Sequence, residues 1–309
     1  MLELVWLLGS TIVLRPYVFI FLAVYVLAGA VHMGWRRTLA YIPLGYGLAW
    51  MSELASTHWG FPYGDYYYIH DTMGRELWVL GVPFMDSLSY VFLSYCSYSM
   101  AVFLLSPVLI STRGCFILET RSVRRGWSTL LLGALLFVLL DIIIDPVTLQ
   151  GYRWFLGQIY GYRSPGVYFG IPMSNFGGWL LVGLALVAAL QWLDRMPSLE
   201  DPVSLYCRPW SWICLAGPAL YLGVLVFNLS VTFWIGEPLM GTVGLLILFY
   251  TGLVAFFFTV YKQARITRRD VTAHLDDFPL SPAIGLVDSD SPEEHAENAE
   301  VLRGSVEQP

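Results

Sequence analysis

Long apolar segments separated by short polar ones dominate the chain as far as Tyr261. A helix crosses the apolar part of a bilayer with about 20 consecutive apolar residues. About seven segments are long enough: they run roughly from Pro16 to Met33, Thr38 to Ser56, Leu77 to Ile110, Trp127 to Ile144, Ile171 to Leu193, Trp210 to Val231 and Pro238 to Tyr261. The pattern predicts an all-α, polytopic integral membrane protein, with a bundle of about seven transmembrane helices over residues 1–269.

Another apolar segment, Leu2 to Leu14, precedes the first of these and is broken by Arg15-Pro16. At 13 residues it is too short to span alone. We therefore expect a re-entrant or interfacial lead-in.

The composition supports the membrane assignment and separates off the C-terminal tail. Of the 309 residues, 57% are hydrophobic and 13% are charged, whereas soluble proteins carry about 25% charged residues. The net charge is −6, but residues 270–309 alone contain ten acidic residues and one Arg. We expect these residues to form a disordered acidic cytosolic tail. The weakly basic remainder gives no sign of nucleic-acid binding.

The distribution of basic residues predicts how the bundle is oriented. Cytoplasmic loops carry an excess of Lys and Arg. Alternate connections hold twelve of them: Arg36, Arg37, Arg113, Arg121, Arg124, Arg125, Arg195, Arg208, Lys262, Arg265, Arg268 and Arg269. This bias places the N-terminus outside and the C-terminus in the cytosol, most simply in the plasma membrane.

Three acidic residues lie within the predicted spans, where ionisable groups are costly and usually mark function. Glu53 lies near the end of the second span, Asp86 in the first half of the third, and Asp141 near the end of the fourth. Because successive helices alternate in direction, all three lie toward the non-cytoplasmic side. Asp145 shares a helix face with Asp141 one turn away, and Asn175 begins the fifth span on the same side.

The two long connections on that side are rich in Gly and aromatic residues. They read THWGFPYGDYYYIHDTMGREL and DPVTLQGYRWFLGQIYGYRSPGVYFGIPMSNFGGW. Long loops of this kind tend to fold over a site. Besides the carboxyl groups, the candidates for substrate contact are Trp50, His58, Trp59, Tyr66, Tyr90, Trp154, Asn175 and Trp179.

Each feature also has a purely structural explanation. The three acids could hydrogen-bond neighbouring helices, Asp145-Pro146 could end a helix, and Asn175 could be an N-cap. The Trp and Tyr residues could form interfacial belts. His58 and His70 lack partners at metal-ligand spacing, so no metal site is expected.

These same segments resemble a known family. The blocks ELASTHWGFPYGDYYY, VPFMD, DIIIDP, GYRW and GIPMSNFGGW look like the carotenoid biosynthesis membrane family whose characterised members are the CruF-type carotenoid 1,2-hydratases, such as bisanhydrobacterioruberin hydratases and γ-carotene hydratases. The resemblance covers roughly Trp50 to Trp179. It implies hydration of the terminal double bond of an acyclic (ψ) carotenoid end group without a cofactor. It also implies a lipophilic carotenoid substrate, a lipid environment and possible contacts with other enzymes of the pathway.

That reaction suits the candidate residues. Hydration of an alkene begins with a proton, which adds to C2 and leaves a tertiary cation at C1 for water to capture. A buried carboxyl group favours its protonated form and can supply this proton, while a second carboxylate orients the water. Trp and Tyr faces can stabilise the cation. We expect Glu53, Asp86 or Asp141 to be the acid and another of them to position water, with Asp145, Tyr66 and Asn175 as secondary candidates.

Three other functions are possible from the sequence. A membrane prenyltransferase would use Asp141 and Asp145 to bind a diphosphate through Mg²⁺, but it would need a second acidic motif and basic partners. A carotenoid cyclase also begins by protonating an alkene and gives an isomer. A proton-coupled carrier would use the acids as a relay, and such carriers commonly show internal repeats, of which none is apparent here.

Overall fold

The apolar segments form helices, because backbone hydrogen bonds in lipid can be satisfied only within the segment itself. A computed structural model describes residues 2–111, 114–199, 208–263, 265–279, 281 and 283. The helices are α1 Leu2–Leu14, α2 Pro16–His32, α3 Trp35–Trp59, α4 Phe84–Leu105, α5 Arg121–Arg124, α6 Trp127–Leu149, α7 Met173–Asp194, α8 Ala216–Trp234, α9 Pro238–Gln263 and α10 Arg268–Asp277. The all-α bundle predicted from the sequence is confirmed.

Fewer helices than predicted are both long and apolar enough to span a membrane. Among the described residues these are α4, α6, α7, α8 with its lead-in from Trp212, and α9. The pair α1 and α2 passes only together, and the two helices meet at 93°. Helix α3 has 25 residues, but Arg36, Arg37 and Glu53 reduce its hydropathy. The described part of the chain therefore has five such helices, or six if the bent pair counts as one span, and the count of seven is not confirmed.

The third predicted span begins later than expected, and the fourth ends later than expected. Residues 78–83 form a hairpin of β2 Trp78–Val79 and β3 Val82–Pro83. Leu80 and Gly81 both have positive φ in its turn, as a type I′ turn requires, so α4 begins only at Phe84. Helix α6 continues through Pro146 to Leu149. The interpretation of Asp145-Pro146 as a helix stop is therefore wrong.

Two further pairs of strands connect the helices at the ends of the bundle. Strands β4 Val108–Ser111 and β5 Gly114–Ile117 form one antiparallel pair. Strands β1 Tyr66–Tyr68 and β6 Tyr160–Tyr162 form the other, with Tyr66 opposite Tyr162 and Tyr68 opposite Tyr160. This second pair joins the α3–α4 connection to the α6–α7 connection, so the two long loops fold together.

Helix α4 lies at the centre of the bundle. It contacts α2, α3, α6, α7 and α8, and its residues from Tyr90 to Val102 are all buried. Helix α9 instead exposes large apolar side chains along its length, including Leu239, Phe249 and Phe257, as expected of a helix that faces lipid.

The first part of the predicted tail is folded. Helix α10 begins with a capping box between Thr267 and Asp270. His274 is buried and its Nδ1 lies 2.7 Å from the carbonyl oxygen of Glu119. The predicted boundary at residue 270 thus falls inside a docked helix, because this segment places His274 against the bundle. Residues 284–309, the rest of the predicted tail, lie outside the described residues.

A buried ion-pair network lies at the same end of the bundle as α10. Arg124 Nη2 is 2.6 Å from Glu119 Oε1, and its Nη1 is 3.4 Å from Asp194 Oδ1. Burial alone would raise the pKa of Glu119, but Arg124 and His32 outweigh this effect and hold the pKa below its usual range. Glu119 is therefore ionised, and Arg124 compensates two carboxylates.

Replacing Arg124 should be strongly destabilising. The variant Arg124→Met removes the guanidinium that lies 2.6 Å from Glu119, whereas Asp194 keeps Arg125 and Arg37. Removing one partner of a buried ion pair costs about 3–5 kcal/mol. The control is Arg163→Met, because the pair of Arg163 with Asp65 is exposed and such pairs contribute about 0–1 kcal/mol. Thermal unfolding in detergent should show a much lower Tm for the first variant only. Equal shifts would contradict this assignment.

Candidate active site

Four carboxyl groups from three helices line one cavity of about 80 Å³. Glu53 comes from α3, Asp86 from α4, and Asp141 and Asp145 from α6. Asn175 of α7 lines the same cavity. The alternation of helix direction thus brings together the acids that the sequence singled out.

A small sheet of tyrosines covers the cavity. Strands β1 and β6 pair antiparallel, and in a strand alternate side chains point to the same face. Tyr66, Tyr68, Tyr160 and Tyr162 all line the cavity, whereas Tyr67 does not. The sequences YYY and YGY therefore supply four phenol groups directed at the carboxyl groups.

Three of the phenols available in the cavity contact Glu53. Tyr66 and Tyr68 donate hydrogen bonds to Oε2, the latter at 2.6 Å, and Tyr90 of α4 donates to Oε1. Tyr68 Oη is also 2.6 Å from Asp86 Oδ2. Tyr68 therefore bridges Glu53 and Asp86 with two equally short contacts.

Counting hydrogens at this bridge requires one carboxyl group to be protonated. A phenol carries a single hydrogen, so Tyr68 can donate to Glu53 or to Asp86, but not to both. The other contact must be donated by a carboxylic acid. Tyr66 and Tyr90 also donate to Glu53 and favour its ionised form, whereas Tyr68 is the one side-chain partner of the Asp86 carboxyl among the described residues. These contacts favour Asp86 as the protonated member of the pair.

The other two carboxyl groups are joined by Asn175. Its Nδ2 donates to Asp141 Oδ2 at 2.8 Å and to Asp145 Oδ2 at 3.2 Å. Tyr160 and Tyr162 also donate to Asp145. Asp141 Oδ1 is buried and has no hydrogen-bond partner among the described residues. Asp145 is thus fully satisfied, and Asp141 keeps one oxygen free for a ligand or water.

The paired strands β1 and β6 form a lid over the cavity, and its phenols are donors at neutral pH. Burial raises the pKa of Tyr66, Tyr68 and Tyr162 above the usual value, and the neighbouring carboxyl groups add to the effect. Each phenol therefore keeps its hydrogen.

Aromatic rings form the inner wall of the cavity. Trp179 of α7 stacks on Tyr90 with ring centroids 4.9 Å apart, and Phe137 lies 4.5 Å from Trp179. Tyr63 packs against both Tyr90 and Trp179. In contrast, Lys, Arg and His are absent from the described residues that line the cavity. The site combines carboxyl groups with π faces, which suits a positively charged intermediate.

The sequence of most of the bundle matches one protein family. The model of the carotenoid biosynthesis protein family matches residues 11–251. The chain belongs to this family. The match includes every residue of the cavity, and it extends well beyond the segments from Trp50 to Trp179 that carry the sequence resemblance. No curated protein and no solved structure matches the chain.

In this carotenoid biosynthesis protein, only some of the residues predicted to contact substrate line the cavity. Tyr66, Tyr90, Asn175 and Trp179 line the cavity. Trp154 lines a neighbouring cavity. Asn175 is the third residue of α7, whose N-cap is Pro172, so the interpretation of Asn175 as an N-cap is wrong.

Trp50, His58 and Trp59 do not reach the cavity, contrary to the prediction. Trp50 donates a hydrogen bond to the carbonyl oxygen of Val79. Trp59 is 82% exposed, and His58 Nδ1 contacts the carbonyl oxygen of Leu54. Because α3 continues to Trp59, His58 and Trp59 are rotated by about 140° and about 120° from Glu53.

Sequence reasoning missed Tyr68, Tyr160, Tyr162 and Tyr63. The alternating tyrosines of YYY and YGY were the available signal, since period-two spacing places them on one face of a strand. The pairing of the two strands, which are more than ninety residues apart, is not encoded in either segment alone.

The turn at residues 61–63, which follows α3, packs against Gly178. A Cβ at this position would lie 2.7 Å from the carbonyl oxygen of Pro62 and 2.7 Å from a ring carbon of Tyr63. Gly178→Ala should therefore displace the turn and cost about 1–3 kcal/mol.

The neighbouring Gly177 offers a matched control, because a Cβ there meets nothing within 4 Å. Gly177→Ala should stabilise α7 by up to about 1 kcal/mol. Tm values in detergent should move in opposite directions for the two variants. A Gly178→Ala protein as stable as Gly177→Ala would show that the turn does not pack as described.

Proposed function

We propose that this protein is a carotenoid 1,2-hydratase of the CruF type, which adds water to the terminal double bond of an acyclic ψ end group. The product is a tertiary 1-hydroxy carotenoid. The observation that carries the proposal is the phenol of Tyr68, held between Glu53 and Asp86, because it requires a protonated carboxyl group in a cavity lined by aromatic rings.

The first step is proton transfer from the Asp86 carboxyl group to C2. The π electrons form the new C2–H bond and leave a tertiary cation at C1. The carboxylates Glu53 and Asp145 then favour the cation electrostatically, and the face of Trp179 or Tyr90 can contact it. Burial keeps bulk water from competing with these interactions.

In the second step water forms the C–O bond at C1. Asp141 Oδ1, which lacks a partner among the described side chains, is placed to accept a hydrogen bond from this water and then its proton. Transfer of that proton within the carboxyl cluster restores Asp86. Overall, alkene and water give alcohol, with no net gain or loss of protons or electrons.

The charge of the cavity favours this function over the prenyltransferase alternative. A diphosphate needs cations, and basic side chains are missing from the described part of the cavity lining. A cyclase would use the same acid but would release an isomer of the substrate. Charge bias in the loops leads us to propose that the cavity faces the non-cytoplasmic side of the plasma membrane.

Isotopic labelling tests the reaction directly. Membranes containing the protein should convert lycopene to a product one water heavier. In heavy-oxygen water the new hydroxyl should carry the label, and in deuterated water one deuterium should appear at C2. An isomeric product would identify a cyclase, and an unlabelled oxygen would exclude hydration.

Amide substitutions test the roles of the carboxyl groups. Asp86→Asn removes the donated proton, so the rate of product formation should fall at least about 100-fold. Asp141→Asn should give a smaller loss, because water can still enter the cavity. Asp65→Asn is the control, since Asp65 is an exposed carboxylate in the connection between α3 and α4. An Asp86→Asn protein that is correctly inserted and fully active would refute the assignment.

A further inference from the structure

A second cavity of about 90 Å³ lies beside the carboxyl cluster, and its walls are mainly apolar, with five aromatic residues among them. Tyr17 and Phe21 of α2 face Phe227 of α8. The rings of Tyr17 and Phe227 stack with centroids 5.4 Å apart, and Phe21 lies 5.6 Å from both Phe227 and Phe92. Trp154, from the connection after α6, closes one side.

The two cavities meet at Asp86. Asp86, Ser89, Leu93, Ile144 and Thr148 line both of them. The other three carboxyl residues line only the first cavity. The carboxyl group that the hydrogen bonds favour as protonated is therefore the one at the junction.

The lining defines the chemical class of the ligand. Apart from Asp86, the polar side chains of this cavity are few, and the amide of Asn228 donates to the carbonyl oxygen of Val224 in its own helix. Stacked and edge-on rings offer dispersion contacts to a flat conjugated chain. A branched polyene fits these walls, whereas a charged or hydrated ligand would lose its solvation without compensation.

The volumes limit how much of a carotenoid can enter. The cavities measure about 80 and about 90 Å³, each smaller than the cavity of about 150 Å³ that holds one benzene molecule in an engineered protein core. Together they accommodate roughly one isoprene unit and the beginning of the next by that comparison. A carotenoid is several times longer, so the rest of its chain must lie outside this space.

We propose that the second cavity binds the beginning of the isoprene unit next to the reacting end of the polyene, and that the protein encloses only this end while the remaining chain stays in lipid. The inference rests on the function proposed above. It makes the end group, and not the length of the chain, the feature that the protein selects.

Helix α8 offers a matched pair of variants. Val224 lines the second cavity and is 1% exposed, whereas Val226 of the same helix is 59% exposed and lines neither cavity. Val224→Phe places a ring in the path of the chain, so product formation from lycopene should fall at least about tenfold. Val226→Phe should behave as the wild-type protein.

Competition between substrates provides a measurement that needs no variant. Wild-type protein receives equal amounts of lycopene and a ψ-ended carotene shortened by two isoprene units. Binding energy from enclosed remote parts of a substrate raises its specificity constant, so a protein that encloses only the end should process both within about threefold of each other.

The outcomes separate the two proposals. Hydrated product from wild-type protein, with full activity in Val224→Phe or a strong preference for the longer carotene, would overturn the chain-end site but keep the hydratase. If Val224→Phe fails to insert, the competition decides alone. Absence of hydrated product from either carotene in wild-type protein would refute the hydratase and the chain-end site with it.

Discussion

Four carboxyl groups share a buried cavity whose described lining contains no cation, and the site depends on how their charge is managed. Bringing several carboxylates out of water without a partner is prohibitively costly. The protein meets this cost with phenol donors and with a shared proton. Tyr68 stands between Glu53 and Asp86 at equal distances, so its single hydrogen forces one acid to remain neutral.

The two buried carboxyl clusters solve the same problem in different ways. Near α10, Glu119 is compensated by Arg124, and Asp194 by Arg124, Arg125 and Arg37, which fixes them as anions and makes them structural. In the cavity, phenols and a shared proton take the place of arginine. A carboxyl group compensated by a guanidinium cannot deliver a proton, whereas one held neutral by burial can. The absence of arginine from the described cavity lining is thus part of the proposed chemistry.

The sequence was sufficient for the features that follow from helix direction and spacing. Glu53, Asp86 and Asp141 were placed together by alternation of the spans, and Asp145 by its position one turn from Asp141. It was insufficient where tertiary contacts decide. Tyr68 and Tyr160 reach the cavity only because two distant connections pair as strands. Conversely, the composition of the loop predicts substrate contacts from His58 and Trp59, but α3 continues through both residues and turns their side chains away from the cavity. Helix α10 was not predicted, because the acidic composition of the residues after it is typical of a disordered tail.

The central claim is that Asp86 holds a proton at neutral pH while Glu53 is ionised. Infrared spectroscopy of the protein in membranes observes this directly, because a protonated carboxylic acid has a carbonyl stretch distinct from that of a carboxylate and shifts in deuterated water. The account predicts such a band in the wild-type protein and loss of a component in Asp86→Asn. A wild-type spectrum without the band, or a band unchanged in Asp86→Asn, would contradict it.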